Sequence, residues 1–309
     1  MRKRTDLRPV LSDPNAFEAL LYRLCNAMNE RQALTVPRGL LPPGDADLDR
    51  LVSAHVLVRQ GTRLGFFHEG FFDYVFARRF CEQETPLLGL LRAGEQGLFC
   101  RSQVRQILIY RRDADFDAYL ADLGACLGAQ DLRPHLKRLM IGLIGQVADP
   151  RPEEWEILAA WLPERTGSPT EPVRAALWPS SPWFRYLHDQ GVLSAWLAAE
   201  RPETRGWAAN WLGQMAAVEP ERVADLLEGL AGRSAEQDEQ VLGVVSWHGV
   251  AAQSARIEAL FHRLAGAPGR DLTIIGSAYQ RFIETHCYSS ESDTRVACRA
   301  LGHWLDLLA

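Results

Sequence analysis

Glu221-Arg222-Val223-Ala224-Asp225-Leu226-Leu227-Glu228-Gly229-Leu230-Ala231-Gly232 and Ala255-Arg256-Ile257-Glu258-Ala259-Leu260-Phe261-His262-Arg263-Leu264-Ala265-Gly266 are two copies of one pattern, 34 residues apart. In both, apolar residues recur at helical spacing before a closing Gly. Leu212-Gly213-Gln214-Met215-Ala216 aligns with Ile144-Gly145-Gln146-Val147-Ala148 at 68 residues, twice that period. At the same offset Pro220 falls on Pro152, Leu226 on Leu158 and Leu230 on Leu162. Val192-Leu193-Ser194-Ala195-Trp196-Leu197-Ala198 fits one period before Leu226. A fixed period with two helical stretches per unit reads as an α-solenoid, because one helix pair cannot bury its own apolar face whereas stacked pairs can. Four units stand out, from 135–168 to 237–270. The one at 169–202 is degenerate, since Trp178-Pro179-Ser180-Ser181-Pro182 must interrupt its first helix. Residues 271–309 read as a terminal pair, and 86–134 as two or three less regular helices. The length suits tetratricopeptide repeats without their signature positions, and HEAT-like pairs fit equally well.

Ahead of the repeats the pattern changes. Asp13-Pro14 is a helix start, with Asp as N-cap and Pro at the first helical position, followed by Phe17, Leu20, Leu21, Leu24 and Met28 at helical spacing. Pro37, Gly39, Pro42, Pro43 and Gly44 break the chain, and Asp45 or Asp47 can cap a second helix carrying Leu48, Leu51, Val52 and Val56. Val56-Leu57-Val58-Arg59, a Gln60-Gly61-Thr62 turn and Arg63-Leu64-Gly65-Phe66-Phe67 form a hairpin. Helix, helix, hairpin is the order of a winged helix. The expected architecture is therefore mainly all-α: a basic tail at 1–12, a winged-helix-like domain with one β-hairpin at 13–84, and an α-solenoid of HEAT/TPR-like pairs at 85–309. Directly after the hairpin, Phe66 to Phe80 hold seven of the chain's 28 aromatic residues. Phe72, Phe76 and Phe80 repeat at i, i+4 and Phe71 widens the arc, which predicts a helix from Glu69 with an aromatic face packed between two domains.

The stretch Phe66-Phe67-His68-Glu69-Gly70-Phe71-Phe72-Asp73-Tyr74-Val75-Phe76-Ala77-Arg78-Arg79-Phe80, with Leu51 to Leu57 before it, resembles the winged-helix end of STAND (NACHT/NB-ARC-type) NTPases. There a strand delivers F-x-H into a helix of the form x-x-F-x-[DE]-[YF]-x-x-A-[RA]. The likeness covers roughly residues 13–84. It implies that His68 contacts the phosphates of ADP held by a nucleotide domain, that Asp73 takes the family's acidic position, and that the helical repeats form a sensor. The chain departs from the family in carrying neither a P-loop, nor a Walker B acid, nor a nucleotide domain. His68 then supplies half a site, and the chain reads as part of a switch protein or as a descendant without its motor.

Composition narrows the remaining classes. With 34 Lys+Arg against 39 Asp+Glu the formal charge is −5, unfavourable for general binding to nucleic acid or anionic membranes. Only Lys3 and Lys137 are lysines, and neither follows a Gly-rich turn, so no self-contained phosphate-binding loop is encoded. No apolar run approaches the roughly 20 residues of a membrane span, and Met1-Arg2-Lys3-Arg4-Thr5-Asp6 has no apolar stretch behind it. Cysteines at 25, 81, 100, 126, 287 and 298 include no CxxC pair and read as reduced structural thiols, which points to the cytoplasm. His286, Cys287, Cys298 and His303 lack a compact zinc spacing, and no GxSxG elbow is present. Trp247-His248 and His262 read as helix-core and helix-surface residues of one repeat.

No catalytic, metal or cofactor-bound activity is expected. The functional reading is a non-catalytic sensor or interaction module that recognises a protein on the solenoid surface and couples to a nucleotide-binding module, in prokaryotic defence or signalling. A free-standing scaffold with no nucleotide link and a winged-helix DNA binder are the alternatives. Of nine tryptophans, Trp178 and Trp183 flank the Pro-Ser-Ser-Pro interruption and are the ones expected to be exposed and to touch a partner.

Overall fold

The turn at Gly61-Thr62 joins the two strands of the hairpin because Gly61 takes φ +61°, a left-handed value that costs glycine little. The computed structural model describes residues 14–41, 46–97, 99–161, 171–248, 250–268, 271–287 and 291–309. The basic tail, Asp13, Pro42, Pro43, Gly44, Asp45 and Leu162 lie outside them. Among the described residues the chain is mainly α-helical with one small antiparallel sheet. It divides into two compact units, Met1–Met140 and Ile141–Ala309.

The first unit contains α1 (Pro14–Glu30), β1 (Thr35–Pro37), α2 (Ala46–Ser53), β2 (Leu57–Gln60), β3 (Arg63–Phe66), α3 (Glu69–Glu82), α4 (Leu87–Ala93), α5 (Phe99–Ala114), α6 (Phe116–Gly128) and the start of α7 (Pro134–Gly145). The expected hairpin is present, with Gln60 opposite Arg63 and Leu57 opposite Phe66. A third strand joins it: β1 pairs with β3 through Thr35↔Gly65 and Val36↔Leu64, giving the order β1-β3-β2. Only Gly fits at 65, where a Cβ would come within 2.8 Å of the Leu34 carbonyl oxygen. The order of elements, with the first strand added beside the hairpin, fits a winged helix.

Behind the sheet α3 lies between α1 and α5. Phe72, Phe76 and Phe80 are buried on α3, Leu20, Leu24 and Met28 on α1, and Val104, Ile107 and Leu108 on α5. The aromatic face of α3 is therefore core within one unit rather than a seam between two domains. Phe71 is half-buried, edge-on to Phe66 at 5.6 Å.

The sequence pattern puts a boundary near residue 84, but the chain there is tied down by charge. Arg111 of α5 and Asp122 of α6 form an ion pair, each side chain only 6% exposed. The Asp122 carboxylate also accepts from the Leu87 backbone N–H at 2.9 Å, and Arg111 donates to the Thr85 carbonyl at 2.7 Å. Arg111 further lies over the Phe80 ring at 5.2 Å. One buried pair thus satisfies the backbone of the α3–α4 link and fixes it to α5 and α6, so the first unit runs past residue 84 to Met140.

The second unit holds α8 (Pro152–Ala159), α9 (Glu171–Leu177), α10 (Ser181–Asp189), α11 (Val192–Leu197), α12 (Pro202–Met215), α13 (Pro220–Leu230), α14 (Ala235–His248), α15 (Ala255–Ala265), α16 (Leu272–His286) and α17 (Glu291–Leu308). From α11 onward it forms two layers. α12, α14 and α16 adjoin in one layer, and α11, α13, α15 and α17 in the other. Three backbone carbonyls at helix C-terminal ends mark the sequence period. Ile144 accepts from Trp183 Nε1 at 2.7 Å, Trp178 from Trp211 Nε1 at 3.1 Å, and Ser246 from the Thr285 hydroxyl at 3.0 Å. These acceptors are spaced 34 and then 68 residues along the chain. Carbonyls in a last helical turn lack intrahelical donors, and here a later helix supplies them. Gly145 and Gly213, aligned in the sequence, are both points of close approach: a Cβ would fall 2.4 Å from the Ala176 carbonyl oxygen and 2.4 Å from the His248 ring, respectively.

The Trp178–Pro182 stretch is a junction between two helices. α9 stops at Leu177, and the Ser180 hydroxyl caps α10 by accepting from the Trp183 N–H. The next break, between α10 and α11, is at Gly191 with φ +72°.

Removing one member of the Arg111–Asp122 pair leaves a buried charge without its counter-ion. Asp122→Ala is expected to cost about 3–5 kcal/mol in the first unit. Hydrogen exchange should show lost protection in α3 and α5 with little change in α14 and α16.

Candidate functional site

His68 ends the hairpin and caps α3. Its backbone is extended, and Nδ1 accepts a hydrogen bond from the Gly70 N–H at 3.0 Å. An accepting Nδ1 places the proton of a neutral ring on Nε2. The side chain is exposed, so this N–H faces outward as a donor. One turn on, burial pushes the Asp73 carboxyl up to about 6, helped by the negative charge of Glu69. His68 and Asp73 are thus polar groups on the first turns of a helix whose opposite face is aromatic core.

The two tryptophans singled out in the sequence part company. Trp183 is fully buried, its indole N–H spent on the Ile144 carbonyl and its ring 6.2 Å from Trp155. It is a core residue and not a contact for a partner. The first turn of α10, fixed by the Ser180 cap, turns it inward. Trp178 is half-buried. The exposed indole is Trp247, 64% accessible in the last turn of α14, with the Arg281 guanidinium of α16 lying 5.3 Å from its ring centroid. This corrects the expectation of a core position. The usable signal was the period: Arg281 lies 34 residues after Trp247 and Gly213 34 before it, a row running across the α12–α14–α16 layer.

At the far end of the second unit the histidines gather without forming a metal site among the described residues. The His262 and His303 rings lie 4.1 Å apart, and His262 Nδ1 is 3.0 Å from the Tyr279 hydroxyl. His286 is buried, with Nδ1 donating to the Phe282 carbonyl at 2.7 Å. Cys287 and Cys298 are exposed free thiols. Burial pushes the Cys25 and Cys126 thiols up to about 12, which leaves them protonated and unreactive.

No protein-family model matches the chain, and no curated protein matches its sequence. Among the described residues no helix is long and apolar enough to cross a membrane.

His262 gives the second unit a pH dependence. Burial first, then the neighbouring His303 and the Arg299 charge, lower its pKa from 6.5 to about 4 against the opposing pull of Glu258. Between those values the unfolded chain binds a proton that the folded chain refuses, so stability falls as pH drops from 6.5 toward 4. After discounting for partial solvent access, the expected loss is about 1–2 kcal/mol. Urea midpoints at pH 7 and pH 4.5, compared between the wild type and His262→Gln, measure it; the variant should lose less over that range.

Proposed function

We propose that this protein is a non-catalytic interaction module whose second unit binds a protein partner through the α12–α14–α16 layer, with Trp247 as the anchor. The carrying observation is an indole left 64% exposed on an ordered helix and backed by a guanidinium. Trp and Arg are enriched among the side chains that dominate binding energy, and an indole buries a large rigid surface at small entropic cost. HEAT- or TPR-like stacking suits the role, since adjoining helices of one layer present a continuous face.

Nucleic acid is the less favoured ligand. Of the basic residues near the wing, Arg50 pairs with Asp47 at 3.0 Å and Arg59 with Asp49, while Arg63 is turned onto the Thr35 hydroxyl and carbonyl without a counter-ion among the described residues, which leaves little charge for phosphates. Coupling to a nucleotide-binding module carried elsewhere rests on the STAND resemblance. What supports it is the outward Nε2–H of His68, a donor suited to a phosphate oxygen. A free-standing scaffold would use the same Trp247 face and leave His68 idle.

Trp247→Ala should leave the thermal unfolding midpoint nearly unchanged while weakening a partner captured by the wild type by about 2 kcal/mol or more, measured by titration calorimetry. A partner held equally by both proteins would remove the reading. Where a separate NTPase chain forms a complex with this one, His68→Ala should weaken ADP retention by about tenfold, the worth of one charge-assisted hydrogen bond. Unchanged retention leaves the scaffold reading.

A further inference from the structure

Two cavities in the first unit meet at Arg79. One, of about 350 Å³, has Phe76, Phe80 and Leu90 as its apolar wall and Asn26 and Gln83 at its polar side. The other, of about 410 Å³, is lined by Glu18, Tyr22, Arg23, Asn26 and Arg79. Asn26 and Arg79 belong to both. Volumes of this size are those of small-molecule sites.

Charge pairing sets the character of the junction. Glu18 and Glu82 are both engaged by Arg78, and both accept from the Tyr22 hydroxyl. Arg79, the next residue along α3, has no carboxylate within ion-pair distance among the described residues, and neither has Arg23. The Arg79 guanidinium instead lies 4.9 Å from the Tyr22 ring centroid, which fixes its plane without using its fork of donors. A half-buried guanidinium held flat between an apolar slot and a polar one favours a planar anion that it can grip with two parallel hydrogen bonds.

We infer that the α1–α3–α4 cavity is a binding site for a small amphiphile with a carboxylate head, which Arg79 holds with help from Asn26 while the apolar body lies against Phe76, Phe80 and Leu90. The site is separate from the Trp247 face and does not depend on it. Gly89 offers a means of closing it: it lines the first cavity, and a Cβ added there meets nothing within 4 Å. A larger side chain at 89 enters open space and also favours the helix.

Octanoate and octylamine serve as probes, titrated into the full-length chain by calorimetry. The wild type should bind octanoate at least about tenfold more tightly than octylamine, the preference one charge-assisted contact confers. Arg79→Leu should lose octanoate binding by a similar factor, and Gly89→Leu should abolish it with an unfolding midpoint no lower than that of the wild type. Equal binding of the two probes, no binding of octanoate by the wild type, or octanoate affinity unchanged in both variants would each overturn the inference.

Discussion

The ion pair between Arg111 and Asp122 decides where the first unit ends. Both charges are withdrawn from water, and burial raises the Asp122 pKa despite the guanidinium and the Leu87 N–H that pull it down. Such a pair contributes little net stability by itself, because desolvation offsets most of the attraction. Its effect is on specificity. With the Thr85 carbonyl and Leu87 N–H as its other partners, it accepts only one arrangement of the α3–α4 link against α5 and α6. The segment at the expected domain edge, though largely exposed, thus becomes a fixed strut. The apolar slot beside Phe76, Phe80 and Leu90 lies against the two helices that this strut joins.

What could be read in the amino acids follows the range of the interactions. The helical period of α13 and α15 and the two-residue loop of the hairpin are local, and both are plain in the residues. β1 is not. Three residues ending in Pro37 carry no alternation to recognise, and their strand character comes entirely from pairing with Gly65 and Leu64. The domain edge was equally hidden, since Arg111 and Asp122 are unremarkable until α5 and α6 bring them to the link. His68 was legible as a junction residue. The Arg79 cavity was not, because it needs to be known that Arg78 takes up the nearby acids.

The tryptophans show the same limit in sharper form. A Pro-Ser-Ser-Pro run suggests loose chain, yet the serine caps and the proline pre-sets the first turn of α10, so the run starts a helix and sends Trp183 inward. Trp247 sits in an ordinary helical pattern, beside residues that do face the core, and its place in the last turn leaves it uncovered. Local regularity and burial are different properties. The first is set by neighbours in sequence, the second by which helix happens to adjoin.

The two units also hold themselves together by different logic. In the second, helix-end carbonyls are answered by side chains 33 to 39 residues further on, from Trp183, Trp211 and Thr285. Each such link joins helices close along the chain, so a change in one helix is felt mainly by the helices that adjoin it. In the first unit a single buried network serves four elements at once, and loss of any member strands the others. Variation on the exposed face of the α12–α14–α16 layer is therefore cheap for the fold. That is the property a recognition surface needs if its ligand is to change while the scaffold stays the same.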